Sequence, residues 1–325
     1  MTAVSYHHTI NDLQGLEFAA DGPFGRREWF ALLEQSGAKP FVALARNGAG
    51  AAALPLSSAS GSLEALTNWY AFTWSPLATD GAHDLLLESL ARDLRHQTRH
   101  LTLAKLSDAT AARLERAFVN AGWFVVREAC DTNHVLHVAG RSYADYIAAR
   151  PGPLRTMLKR KARKVEVEIL TRFEEAAWAS YEAVYAESWK PGEGDPELLR
   201  RFAEAEGAAG RLRLGLARHD GRVVAAQMWT VEDGTAWIHK LAHLESAKPL
   251  SPGTTLTAAL MEHTIDRDRV DLVDFGTGDD PYKRDWMEQV RPRYRLECWS
   301  PLDPRNWPAM AKAALRNLVS RSRDG

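Results

Sequence analysis

The chain predicts an α/β protein with a mixed sheet of α+β character, built as two tandem versions of one unit. Three observations carry this. First, VALARNGAGAAALPL (42–56) and LGLARHDGRVVAAQM (214–228) share one pattern: an apolar strand, Ala-Arg, a turn with Gly, and a second apolar strand. Both read as hairpins, the second turning at His219-Asp220-Gly221. Second, each hairpin is followed by an aromatic-rich run expected as a strand, WYAFTW (69–74) and TAWIHKLAH (235–243). Third, each half then repeats a helical pattern and a short apolar run: HDLLLESLARDLR (83–95) with HLTLAKL (100–106), and TTLTAALMEHTIDRD (254–268) with VDLVDFG (270–276). Matches in the same order point to duplication. The expected cut gives residues 1–140 and 141–325.

The connecting elements follow in order. SYADYIAAR reads as a short helix that Pro151-Gly152-Pro153 breaks. A basic helical stretch comes next, with Arg155, Lys159, Arg160, Lys161, Arg163 and Lys164. Arg155, Lys159 and Arg163 recur at i, i+4, i+8 and are expected on one face. Leu154, Met157, Leu158 and Ala162 form an apolar stripe beside them. This patch reads either as a solvated surface helix or as a clamp for an anionic acceptor, for cofactor phosphates or for a membrane surface. VEVEIL is a strand, and EEAAWASYEAVYAESWK (174–190) a helix ended by Pro191-Gly192. PELLRRFAEAEGAAG (196–210) is an amphipathic helix closed by Gly. RYRLECWSPL (293–302) reads as a last strand, and NWPAMAKAALRNLVSRSR (306–323) as a basic amphipathic helix expected to pack on the body.

Composition narrows the class. The chain has 325 residues, 45% apolar and 26% charged, with a formal net charge of −1. That is a globular mixture long enough for two domains, with no global field to attract nucleic acid. MTAVSYHHTIND has neither a basic n-region nor an apolar h-region, and no apolar run approaches the roughly 18–20 residues a membrane span needs. A cytoplasmic protein is expected, with Arg155–Lys164 as the segment for any peripheral contact with the inner membrane. Cys130 and Cys298 lack CxxC spacing and read as small apolar fillers, so neither a disulfide framework nor a metal site is expected.

The stretch from Trp237 to Trp286 concentrates the chemistry. An apolar run ends in His239-Lys240, and a loop closes with Ser251-Pro252-Gly253-Thr254-Thr255. A helical pattern (Leu256, Leu260, Ile265) and then VDLVDFG follow, with a loop ending in Asp280-Pro281-Tyr282-Lys283. A Pro-Gly turn that opens a helix offers backbone N–H groups and a positive dipole end to an anion, here the pyrophosphate of a nucleotide-bearing cofactor. The first half has SPLATDGAHD (75–84) at this place, where Asp80 and Asp84 would repel a phosphate. The cofactor site is therefore expected in the second half only. No GxSxG elbow, HExxH, Walker A or paired glycosidase carboxylates occur.

The segments YAESWKP (185–191), HKLAH (239–243), SPGTTL (251–256) and DFGTGDDPYKRDW (274–286) resemble those of the FemAB-like, GNAT-type acyltransferases, in a branch found among bacterial exopolysaccharide and cellulose genes. The resemblance covers about residues 150–300. It implies two tandem GNAT-like units, the first without a cofactor site, and acyl-CoA (acetyl-CoA or a longer chain) as co-substrate. The implied reaction is transfer of the acyl group to an amine on an amino sugar, a saccharide precursor or an amino lipid. Aminoacyl transfer from tRNA onto a peptidoglycan-type precursor is the first alternative, and a non-catalytic binding subunit of a polysaccharide synthase the second. One departure stands out: SPG replaces the family's longer glycine-rich phosphate loop.

Roles follow from this resemblance. Pro252, Gly253, Thr254 and Thr255 would hold the pyrophosphate, and Gly276 would shape the loop where the sheet splays at the thioester. Tyr282 would return a proton to the leaving thiolate, Lys283 would stabilise the oxyanion, and His239 would take the amine's proton, with His243 as its substitute on the same strand face. Trp189, Lys190, Lys240 and Asp274 would contact the acceptor. The same residues also have structural readings. A lone His is often a hydrogen-bonded core group, Asp274 can cap, and Lys283 can pair with Asp279 or Asp280.

Overall fold

The computed structural model describes residues 2–48, 50–59, 61–80 and 84–321. Ala49, His83, Ser322 and Arg323, which the sequence reading placed in a hairpin and in helices, lie outside them. In chain order the first half comprises β1 (Ala3–His7), α1 (Arg27–Gln35), β2 (Pro40–Asn47), β3 (Gly50–Ala59), β4 (Ser62–Ala65), β5 (Leu77–Ala78), α2 (Asp84–Leu94), β6 (His100–Leu106), α3 (Asp108–Asn120) and β7 (Phe124–His137). Next come α4 (Tyr143–Ala148), α5 (Gly152–Lys161), β8 (Glu166–Leu170), α6 (Glu175–Ala186), α7 (Pro196–Ala208), β9 (Leu212–His219), β10 (Arg222–Glu232) and β11 (Thr235–His243). The chain ends with α8 (Pro252–Glu262), β12 (Leu272–Thr277), α9 (Pro281–Trp286), β13 (Gln289–Trp299) and α10 (Trp307–Arg321).

Two compact units result, Met1–Asp131 with Pro292–Gly325, and Thr132–Arg291. A single cut at 140/141 does not describe this division. Residues of β13 pair with β6 over Tyr294–Trp299, which returns the end of the chain to the first unit.

The two units repeat one topology. In the first, β1, β2, β3 and β4 pair antiparallel in that order, and β4 runs parallel to β6. In the second, β8, β9, β10 and β11 pair antiparallel in that order, and β11 runs parallel to β12. In each, one helix, α2 or α8, makes the crossover between the parallel strands. The β9–β10 turn forms at Asp220-Gly221, where both residues have positive φ (49° and 76°), as a tight hairpin turn requires.

Three expectations need correction. WYAFTW is not a strand; the short β4 takes that place in the sheet order. The segment is instead held through its backbone: Lys105 Nζ donates to the carbonyls of Asn68 (2.6 Å) and Ala71 (2.8 Å). Arg293, 2% exposed, donates from Nε to the carbonyl of Phe72 at 3.1 Å. The basic stretch is α-helical only to Lys161. Residues Ala162–Lys164 form a 3-10 turn, so Arg163 leaves the face it was expected to share with Arg155 and Lys159. Cys298 is buried as expected, whereas Cys130 is exposed. Among the described residues no helix is long and apolar enough to cross a membrane.

Candidate functional site

The site is built on the second unit, around the N-terminus of α8. Ser251 precedes the helix in the left-handed region (φ 54°), and its side chain makes no cap bond to the helix. Pro252 fills the first helical position, where a missing N–H costs nothing. A side chain at Gly253 would meet His243 Cδ2 at 3.2 Å, so glycine keeps this turn close to β11. Thr255 is 5% exposed and its Oγ1 has no hydrogen-bond partner, an orphan buried hydroxyl in the first turn. Lys161, at the end of α5, reaches the same place, its Nζ donating to Ser251 Oγ at 3.0 Å. A helix N-terminus, a lysine and an unused hydroxyl together fit a diphosphate.

Gln227 on β10 fixes the helix. Its Nε2 donates to the Gly253 carbonyl (2.9 Å) and to Thr257 Oγ1 (2.8 Å), while Trp229 Nε1 donates to Gln227 Oε1 (3.0 Å). Sequence reading had Lys161 only as one member of the basic patch and missed Gln227. The patterned signal was only that Gln227 interrupts an apolar strand, which marks a buried polar group needing partners.

Beside this turn the sheet opens. β11 and β12 pair only at Thr235–Trp237 against Leu272–Asp274, although both strands continue, to His243 and Thr277. The opening is held by a buried network. Asp274, 0% exposed, accepts from the Gly276 N–H (2.8 Å) and Asn133 Nδ2 (2.7 Å) at Oδ1, and from Arg291 Nη2 (2.9 Å) at Oδ2. Arg291 Nε also donates to Asn133 Oδ1 at 2.7 Å. Gly276 adopts φ 68°, a conformation that favours glycine. Asp274 was expected at the acceptor. Its carboxylate is instead satisfied within the protein, so it positions the loop.

The loop and α9 carry the next two residues. Lys283 is 5% exposed and its Nζ donates to the carbonyls of Thr277 and Gly278 (3.3 Å), over the Phe275 ring. It does not pair with Asp279, which takes Arg284 and His134. Tyr282 is 41% exposed, with its ring edge-on to Phe275 at 5.6 Å. Partial burial, then the charge of Asp280, push its phenol up to about 12, so it holds its proton through the neutral range.

His239 and His243 separate. The β10–β11 register shifts where Met228 faces Lys240 and Trp229 faces Ile238, leaving His239 as the extra residue of a bulge. His239 Nε2 bonds Thr230 Oγ1 (2.7 Å), and the ring meets Phe202 of α7 edge-on at 5.2 Å. His243 lies instead against Gly253 and packs on Trp189, ring centroids 4.3 Å apart. The two histidines were expected on one face, and the bulge breaks that alternation.

A cavity of about 370 Å³ brings Trp189, Leu241, His243, Gly253, Thr254 and Tyr282 together, with Leu154 and Met157 of α5 closing its side. His239 and Asp274 are not in its lining. Lys190 lines a separate cavity of about 450 Å³ beside α6. Burial, and then the nearby Lys240 ammonium, lower its pKa. Lys240 is also lowered by burial, against the opposing hydrogen bond from its Nζ to Glu193 Oε1 at 2.7 Å.

The sequence of residues 154–284 matches the Acetyltransferase (GNAT) domain family. The match covers less than half of the chain. It runs from the start of α5 to α9, and its N–H-bearing turn, open strand pair and following loop are the features described above. No curated protein matches the sequence. Among solved structures, the C-terminal domain of a proposed lysylphosphatidylglycerol synthetase from Agrobacterium fabrum is similar, with a TM-score of 0.61, 13% identity, and coverage of 88% of this chain and 90% of that one. FemX is similar with a TM-score of 0.61, 9% identity, and coverage of 90% and 96%. L-PGS from Bacillus licheniformis gives 0.56, 11%, 93% and 99%. At these identities the likeness is one of fold. The match to the acetyltransferase domain supports a transferase, and the fold is like that of FemX.

Proposed function

We propose that the protein moves an acyl group from a CoA thioester to a primary amine. The observation that carries this is the α8 N-terminus beside an open strand pair, with Lys161 on the preceding Ser251 and an unpartnered Thr255 hydroxyl in the first turn. The pyrophosphate of the donor rests on the first turn of α8, and its pantetheine lies along the unpaired edge of β11. The amine nitrogen attacks the thioester carbonyl, the C–N bond forms as the C–S bond breaks, and the thiolate leaves. His243, which lines the cavity, takes the amine's proton in place of His239. Tyr282 supplies a proton to the thiolate, and a phenol that stays protonated suits that role. The first unit takes no cofactor in this reading, because Lys105 and Arg293 already hold the carbonyls of the segment that follows β4.

A second reading has a specific observation behind it. Arg155, Lys159 and Arg160 are exposed on α5, beside the Lys161 that reaches α8. That surface would also suit the acceptor stem of an aminoacyl-tRNA, or anionic lipid headgroups at the inner membrane. Thermal shifts with acetyl-CoA, long-chain acyl-CoAs and a charged tRNA minihelix decide between donors. A shift with acyl-CoA that Gly253→Asp removes supports the CoA reading. A shift with the minihelix alone replaces it.

A further inference from the structure

We propose that α10 and the loop before it dock on an anionic lipid bilayer. The proposal concerns the first unit and does not depend on the donor reading. Asn306, just before α10, anchors the helix: its Nδ2 donates to the carbonyls of Arg99 (2.8 Å) and Ser300 (2.9 Å). Ala313, buried, packs on the body. Another row of the helix points to solvent. Trp307, Ala311 and Leu315 recur at i, i+4, i+8 and are all exposed, Trp307 by 58% and Leu315 by 63%. A helix on a water-facing surface normally carries polar residues there. Leu302, 75% exposed, adds to the same end, because Trp307 Nε1 donates to the adjacent Pro301 carbonyl at 3.0 Å.

The surroundings of this row are basic. From Pro304 to Arg321 the chain has four basic residues and no acidic one, in a protein of net charge −1. Beside Leu302 opens a basin of about 840 Å³ whose walls carry Arg95, His96, Arg99 and Arg305. Asp303, the one carboxylate in its lining, is taken by Arg305 through hydrogen bonds of 2.9 and 2.6 Å. Arg316 pairs with Glu128 at 3.3 Å. Among the described residues the side-chain nitrogens of Arg99 and Lys312 have no partner, which leaves two cations free for a ligand.

Charge complementarity selects the occupant. Exposed Trp and Leu side chains beside unpaired cations are the pattern of a helix lying in a membrane interface. The apolar row enters the acyl boundary, Trp sits at headgroup level, and Arg and Lys meet lipid phosphates. The basin beside Leu302 has room for a headgroup phosphate at Arg99. A soluble anion would leave the apolar row in water, and a neutral bilayer would leave the cations without a counterion.

The test mixes the full chain with sedimentable vesicles of phosphatidylcholine alone, or of phosphatidylcholine with phosphatidylglycerol, and measures the share of protein that pellets with them. The chain is expected to pellet with the phosphatidylglycerol vesicles only, and to come off in high salt. Lys312→Gln and Arg99→Gln should each weaken binding about fivefold, as loss of one cation at such a surface does. Trp307→Ala should weaken it about tenfold. If Trp307→Ala melts early because the bond to Pro301 is lost, Leu315→Ser takes its place. The double variant Lys159→Gln, Arg160→Gln on α5 should change nothing. Equal binding to both vesicles, binding to neither, or loss through the α5 variant with the α10 variants unaffected overturns the proposal. So does a dimer in sedimentation velocity that Leu315→Ser dissolves, which would make this face a contact between two copies.

Discussion

Thr255 is the residue whose environment most directly asks for a ligand. Its hydroxyl is buried and unpartnered, a condition that costs about 1–3 kcal/mol in a protein with nothing bound. Thr255→Val keeps the shape and removes the orphan. It should leave the melting temperature unchanged or raised while weakening acetyl-CoA about tenfold by calorimetry, and undiminished affinity would show that the hydroxyl does not face the donor. Gly253→Asp acts differently, adding a negative charge at the helix N-terminus and a Cβ at 3.2 Å from His243. Acetyl-CoA binding should disappear, as read by thermal shift. Lys283, on α9, ties the carbonyls of Thr277 and Gly278 in the loop that follows the open strand. Lys283→Ala should therefore lower the melting temperature as well as kcat, the latter by about a hundredfold if its charge meets the developing oxyanion. A variant that only melts earlier, with kcat intact, would make Lys283 structural.

At the scale of elements, the opening between β11 and β12 depends on Asp274. Its carboxylate collects the Gly276 N–H, Asn133 and Arg291, none of them adjacent in sequence to α8. Asp274→Ala strands these donors and should cost about 3 kcal/mol in urea unfolding. A loss under 1 kcal/mol would mean the loop holds itself. A second clamp joins the ends of α4. Glu288 pairs with Arg141 and with Arg150 on either side of that helix. The Arg141 hydrogen bonds hold the Glu288 carboxyl below its usual range, against a smaller opposing effect of burial. A depressed carboxylate stabilises the fold above its unfolded pKa, and the contribution fades as pH falls through the lower folded value. Glu288→Gln should thus be about 1 kcal/mol less stable at neutral pH, with the gap to wild type closing below ~pH 4. A gap that persists in acid would rule out the ion pair as its source.

At the scale of the molecule, both units use the same strand order with a parallel pair, β4–β6 and β11–β12, bridged by one helix. The first unit needs the end of the chain to complete its sheet, since β13 pairs with β6. A chain ended at Arg291 exposes that edge and should be expressed largely as aggregate. Soluble, cooperatively melting protein from such a truncation would show the first unit to be complete without β13.

Sequence alone determined whatever is written locally. The two hairpins show in alternation and in Asp220-Gly221, and the α8 turn shows in Pro252-Gly253, because turn chemistry and strand period are properties of neighbouring residues. The order of these elements then exposed the duplication, and SPGTTL with DPYK exposed the kinship. Tertiary structure decided the rest. A single bulge sent His239 to Phe202 and left His243 at Gly253, and no local pattern marks where one strand gains a residue on its partner. WYAFTW has strand composition, yet Lys105 and Arg293 hold its backbone from elsewhere in the chain. Lys161 meets Ser251 across 90 residues, and Asp274 meets Asn133 across 141. Such pairings depend on how distant segments pack, and a side chain's role is fixed only when its partner arrives.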